Sequence, residues 1–328
     1  MSEPTNSLTA HVAPLEAGEH VVAAAFLSGE PVLALAGGVI KFAGQDVAAH
    51  PQGAILCAAL DDDRLITGGD DGRVVASSAA GAQAIADENG RWIDALAARD
   101  GALAWSAGKT VRARDAKGGV KTWTGPTTVR GLAFLPKGYR LACAHYNGVS
   151  LWFPNADATP QVMEWKGSHL DATVSPDGRF LVTSMQENAL HGWRLADGRN
   201  MRMTGYPSKT RSLSWSHDGH WLATSGAEAC VVWPFKDKDG PMGKPPRECG
   251  VRPERITQVA CHPRALVVAI GYADGLVLLC RLGDGAEILV RDAAAAEGAI
   301  SALAWDKQGA RLVFATEAGH AGLLTLPA

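Results

Sequence analysis

From residue 127 onward the chain repeats one pattern of apolar and polar positions. Thr127 begins TTVRGLAFLPKGYRLACAHYNGVSLWF, and similar stretches begin at Ser168 (SHLDATVSPDGRFLVTSMQENALHGWRL) and at Thr210 (TRSLSWSHDGHWLATSGAEACVVWPF). Each copy opens with an alternating apolar run that ends in a large residue: Phe134, Val174 or Trp215. A short turn containing Gly138, Gly178 or Gly219 follows, then a second run through Leu141, Leu181 or Leu222. A polar or glycine-containing turn leads to a third run ending in Trp152, Trp193 or Trp233. Alternation with a period of two, punctuated by turn residues, predicts three short strands joined by hairpins. A weaker fourth strand is predicted in the connection, over Gln161–Glu164 and Asn200–Met203. A lone sheet of this kind leaves both faces wet, so neighbouring copies must stack to cover them.

Weaker copies appear once this register is applied elsewhere. Arg255 begins RITQVACHPRALVVAIGYADGLVLLCRL, and Gly298 begins GAISALAWDKQGARLVFATEAGHAGLLTL. Ala54 begins AILCAALDDDRLITGGDDGRVVASS, Arg91 begins RWIDALAARDGALAWSAGKTVRARD, and Val21 begins the shortest, VVAAAFLSGEPVLALAGGVIKF. Successive first strands are spaced by roughly 33 to 45 residues, which brackets the ~40–45 of a four-stranded propeller blade.

These repeats resemble the WD-repeat family over nearly the whole chain. The most specific pieces are SPDGRFLVTS (Ser175–Ser184) and GGDDGRVV (Gly68–Val75). The family's Trp-Asp dipeptide is not kept, because Phe153, Arg194 and Pro234 follow the tryptophans. Its Gly-His pair survives only as Glu19-His20, Ala49-His50 and Ser168-His169. The resemblance implies an all-β fold, a β-propeller of four-stranded antiparallel blades; the eight repeat units make it eight-bladed, with seven blades, the commoner number in the family, as the alternative because the 21–48 unit is short. The last unit ends at Leu326 without a fourth strand, so the expectation is that Leu8–Val12 pairs beside Leu323–Leu326 and closes the final blade. The chain then reads as one domain over 1–328, with 1–20 as closing strand and lead-in. Residues 234–254 (PFKDKDGPMGKPPRECGVRPE) form the longest connection and depart from the repeat.

Composition narrows the function. A net charge of −3 without a long run of one sign removes the basic stripe on which nucleic-acid or anionic-membrane binding depends. No apolar stretch approaches the ~20 residues of a membrane span, and Met1–Glu19 lacks the basic and apolar regions of a secretory signal. The six cysteines show no CxxC pair, which fits a reduced, cytoplasmic setting. There is no GxSxG elbow, Walker loop or dinucleotide GxGxxG, and no HxxxH or HExxH, so no catalytic residue, metal site or cofactor is assigned. Asp61 and Asp63 read as a solvated hairpin rather than an acid–base pair. The tryptophans read as packing between sheets, with Trp92 and Trp165 the exposed candidates.

The resemblance places function on the face formed by the loops that lead into first strands and those that join second to third strands. On this register the partner-binding candidates are Asp71, Trp92, Arg130, His145, Asn147, Glu187, Arg211, Glu228, Arg255, Asp274 and Glu317. The same face carries His20, His50, His169 and His320; in the family a histidine before the first strand is a structural hydrogen-bonding residue. The expected function is a monomeric scaffold or adaptor that binds a protein or peptide partner. The alternatives are a hydrolase or lyase of the same fold, or an accessory protein that binds a metal or small ligand on the axis. Catalysis is left open.

Overall fold

The computed structural model describes residues 7–327 and is almost entirely β. Its only helical pieces among those residues are two single 3-10 turns, Thr9–His11 and Ala295–Glu297. The strands form antiparallel sheets in which spatial order follows sequence order, except in the sheet that the N-terminal strand joins, the arrangement of propeller blades. By compactness the chain falls into two units, Met1–Leu35 with Tyr206–Ala328, and Ala36–Gly205.

The second unit shows how the repeats build their layers. Ile55–Asp61, Arg64–Gly69, Arg73–Ser78 and Gly81–Asp87 make one sheet. Ala95–Arg99, Ala102–Ala107, Thr110–Arg114 and Val120–Thr124 make the next. The inner strand Ala102–Ala107 is buried at every position, whereas the outer strand Val120–Thr124 is mostly exposed. Burial on both faces explains why the inner runs read as continuous apolar stretches instead of strict alternation. Between these sheets lies a core of Ile66, Val74, Ile93, Leu103 and Trp105.

The count differs from the expected eight. Among the described residues the strands gather into seven sheets, the smaller of the two numbers the sequence allowed, and one of the seven has six strands. That sheet carries the repeats from Thr127 and from Ser168 together. Its two long strands, Leu141–Trp152 and Gln161–Val174, run through the corners where the repeats would otherwise separate. Gln161–Val174 pairs with Leu141–Trp152 through its first half, as far as Tyr146↔Ser168, and with Phe180–Met185 through its second half, from His169↔Met185, so one strand serves both repeats.

In the first unit, Leu213–Trp215, Trp221–Thr224, Cys230–Pro234 and Arg247–Cys249 form one sheet, and Ile256–Cys261, Val267–Tyr272, Val277–Arg281 and Glu287–Arg291 form its neighbour. The long connection at 234–254 joins the third strand of the former to its short fourth strand. Ile300–Trp305, Arg311–Thr316 and His320–Thr325 build the last sheet, and a strand from the N-terminus completes it. That strand is Val12–Glu16, paired from Val12↔Leu324 to Glu16↔His320. It starts four residues later than the expected Leu8–Val12, because Thr9–His11 turns as a 3-10 helix while the Leu8 N–H is held by the Leu289 carbonyl at 2.7 Å. Leu8 and Val12 then pack against a core of Val277, Leu312, Phe314 and Leu324.

Candidate functional site

Many of the polar residues that a turn-rich face offers are occupied by the fold itself. His50 is fully buried: Nδ1 lies 3.0 Å from Asp71 Oδ1, and Nε2 lies 2.9 Å from Thr67 Oγ1. A carboxylate can only accept, so Nδ1 carries a proton toward Asp71. Asp71 also accepts the Arg73 N–H, and it is therefore a structural anchor. Other residue types fill the same role in neighbouring sheets. Glu88 accepts the Trp105 indole N–H at 2.7 Å, and the Tyr206 hydroxyl accepts that of Trp233 at 2.7 Å while bonding Thr224 Oγ1. Asp61, read from sequence as solvated, is 2% exposed. It accepts the Gly101 N–H at 3.0 Å and pairs with Arg64 at 2.6 Å, which ties two sheets together.

An open groove of about 770 Å³ lies within the second unit, where the outer strand Val120–Thr124 meets Leu141–Trp152 and Gln161–Val174. Trp123, Tyr146 and Trp165 supply its aromatic surface, with Pro126, Pro160 and Val162 between them. Tyr146 and Val162 are each 49% exposed, unusual for large apolar side chains that the fold does not need at the surface. Trp123 is backed by Trp152, whose ring centroid is 6.2 Å away. Trp165 stacks on buried His191 at 3.9 Å with 15° between the planes. Such backing fixes the rings before any ligand arrives.

The floor is His145, buried, with Nδ1 2.8 Å from the Tyr146 carbonyl and Nε2 2.9 Å from Ser150 Oγ. Burial holds its pKa below the ordinary histidine value, so the imidazole stays neutral with Nδ1 as donor. The turn above it needs a left-handed backbone, φ +68° at Asn147 and +144° at Gly148. A Cβ on Gly148 would stand 2.3 Å from the Met163 carbonyl oxygen, so glycine alone lets the two long strands approach. A smaller cavity of about 260 Å³ shares Trp165 and Lys166 with the groove and adds Met185, Glu187, Ala189 and Arg202.

The eleven residues singled out in the sequence scatter relative to this groove. His145 and Asn147 line it, and Glu187 lines the adjoining cavity while accepting the Ser168 N–H at 3.1 Å. Trp92 is 62% exposed but outside the groove lining, and Arg130 pairs with Asp94 at 3.1 Å. In the other unit Arg211, Glu228, Arg255 and Glu317 are exposed outside the strands, and Asp274 is held by Arg252 at 3.2 Å and the Leu276 N–H at 3.1 Å. The apolar lining was missed, because Val162 and Trp123 sit in fourth strands, the weakest part of the repeat. Trp165 was expected to be exposed and is half-buried inside Gln161–Val174. Pro126 and Pro160, flanking those strands, were the available signal.

Among the described residues no group of three or more His, Cys, Asp or Glu side chains could hold a metal ion. No helix among them is long and apolar enough to cross a membrane.

Residues 200–233 match the WD domain, G-beta repeat family. Over 77 residues the chain is 34% identical to WD repeat-containing protein 1-B of Xenopus laevis, a match that spans 23% of this chain and 13% of that protein. The crystal structure of the computationally designed Ika8 protein is similar with a TM-score of 0.77 at 18% identity, covering 95% of this chain and 98% of that one. The likeness to that designed chain concerns the fold alone.

Proposed function

Because the chain carries WD-type repeats in propeller-type sheets, we propose that it is an interaction scaffold whose groove at Trp123, Tyr146 and Trp165 takes an extended segment of a partner protein. The observation that carries this reading is the exposed apolar lining of Tyr146 and Val162 set between two prolines and two braced tryptophans. Aromatic grooves of this make-up receive proline-rich or aliphatic segments, whose preformed extended shape loses little entropy on docking. Glu164 and Lys166 at the rim can meet peptide polar groups without desolvating a buried charge. The six unpaired cysteines support a cytoplasmic setting. On this reading the protein acts as a monomer, and light scattering should show a single species of the mass of one chain; a dimer would contradict it.

The experiment is a selection from a displayed library of short random peptides, run in parallel on the native protein and on the Tyr146→Ala/Val162→Asp variant. Enrichment of proline- and leucine-containing peptides on the native protein alone supports the groove. Equal enrichment on both proteins refutes it.

A further inference from the structure

The strand Gln161–Val174 carries the groove toward a second feature. Along its first half Val162, Glu164 and Lys166 are exposed and alternate with buried Met163 and half-buried Trp165. Trp165 and Lys166 line both the groove and the adjoining cavity of about 260 Å³, to which Arg202 and Glu187 are added. Arg202 comes from Asn200–Met203, where it stands opposite His191, the imidazole on which Trp165 stacks. One braced ring thus separates an apolar groove from a charged cavity.

The cations of that cavity have no counterion in the fold. Lys166 and Arg202 are both exposed, and among the described residues neither side chain forms an ion pair or hydrogen bond. In the same unit Arg64, Arg91, Arg112 and Arg130 each pair with a carboxylate of the fold. Glu187 lines the cavity too, but its oxygens lie 3.1 and 3.3 Å from the Ser168 nitrogen, whose N–H they accept, and it pairs with neither cation. Glu164 lines the groove but not the cavity. Burial keeps His145, His169 and His191 neutral, so they add no charge behind this wall. The cavity therefore sets two cations against one carboxylate that is already engaged.

We propose that the partner segment carries an Asp or Glu beside its apolar stretch, and that this carboxylate enters the cavity and is held between Lys166 and Arg202. The proposal rests on the groove reading above and adds a charge to the partner it describes. A guanidinium offers a carboxylate two parallel N–H donors, and the ammonium supplies a third donor and a second charge. The strand also sets the spacing. Val162 and Lys166 lie four residues apart on extended chain, about 13 Å at 3.3 Å per residue. An extended partner therefore places its acid about four residues from the side chain seated on Val162.

The test is the random-peptide selection repeated on the full-length native protein, on Lys166→Glu/Arg202→Glu and on the neutral Lys166→Gln/Arg202→Gln, each checked for an unchanged melting temperature. The native protein should enrich an apolar core with Asp or Glu about four residues to one side. Charge reversal should keep the core and exchange the acid for Lys or Arg, and the neutral variant should keep the core with no preference at that position. A synthetic native-selected peptide should lose about three- to tenfold in affinity when its acid is replaced by the amide, and less so in high salt. An apolar core without an acid on the native protein, or the same acid enriched on all three proteins, overturns the proposal and leaves the groove standing. No enrichment of an apolar core on the native protein removes the groove reading and this proposal with it.

Discussion

Glu88 accepts the indole N–H of Trp105 at 2.7 Å from a position where only 3% of the carboxylate side chain meets solvent. Arg112 and Arg91 reach the same carboxylate from its more open side. Replacing Glu88 by Ala strands a buried indole N–H, a loss of about 1–3 kcal/mol. Glu88→Gln keeps the acceptor for Trp105 and gives up only the ion pairs to Arg91 and Arg112, so it should cost less than Glu88→Ala. Urea denaturation of both variants checks the order. Equal losses would assign the stability to the arginines and not to Trp105.

Acid should loosen the protein through its neutral histidines. Burial lowers the pKa of His145, His169 and His191, the last to about 3. Both ring nitrogens of His191 lack a hydrogen-bond partner among the described residues. A folded-state pKa below the unfolded one means that the unfolded chain binds more protons as pH falls. The stabilisation is complete above about pH 6.5 and is lost on acidification, by up to about 1.4 kcal/mol per pH unit for each histidine. Between about pH 6.5 and 5, before most carboxylates titrate, His191→Phe should show a shallower fall in unfolding free energy than the native protein. Parallel slopes would show that His191 does not titrate in that window.

The N-terminal strand should be required for a soluble fold. Deleting residues through Glu16 removes the partner of His320–Thr325 and takes Leu8 and Val12 out of their core cluster. An uncovered strand edge templates pairing with other chains, so the truncated protein should melt at lower temperature and aggregate with rising concentration. A synthetic peptide of residues 7–17, added in trans, should reverse both effects. An unchanged melting temperature after deletion would contradict the pairing.

These cases also show what the sequence could and could not disclose. Strand positions followed from alternation and glycine turns, and Asn200–Met203 appears where the repeat placed it. The structural histidine role was legible at His50 because its position in the repeat matched the family's. Glu88 and Tyr206 do the same work with other chemistry, and a search for Gly-His passes over them. The count came out at the alternative of seven and not at eight, because Gln161–Val174 is one strand serving two repeats, which side-chain pattern does not disclose. The groove was hidden for a related reason. Its lining comes from fourth strands and flanking prolines, which follow no period, while the polar turn residues that do recur are often consumed by the fold, as Asp71 is.

The most direct measurement is calorimetric titration of the strongest peptide from the selection into the native protein, Tyr146→Ala and Arg211→Glu. Tyr146 is half exposed and has no side-chain hydrogen bond among the described residues, so its truncation should change stability by no more than about 0.5 kcal/mol. As a central aromatic contact it should nevertheless account for about tenfold or more in affinity. Arg211, in the other unit, should be replaceable without effect. A tenfold loss in Tyr146→Ala with Arg211→Glu unchanged is the expected result. Unchanged affinity in Tyr146→Ala, or a loss confined to Arg211→Glu, would contradict the groove as the docking site.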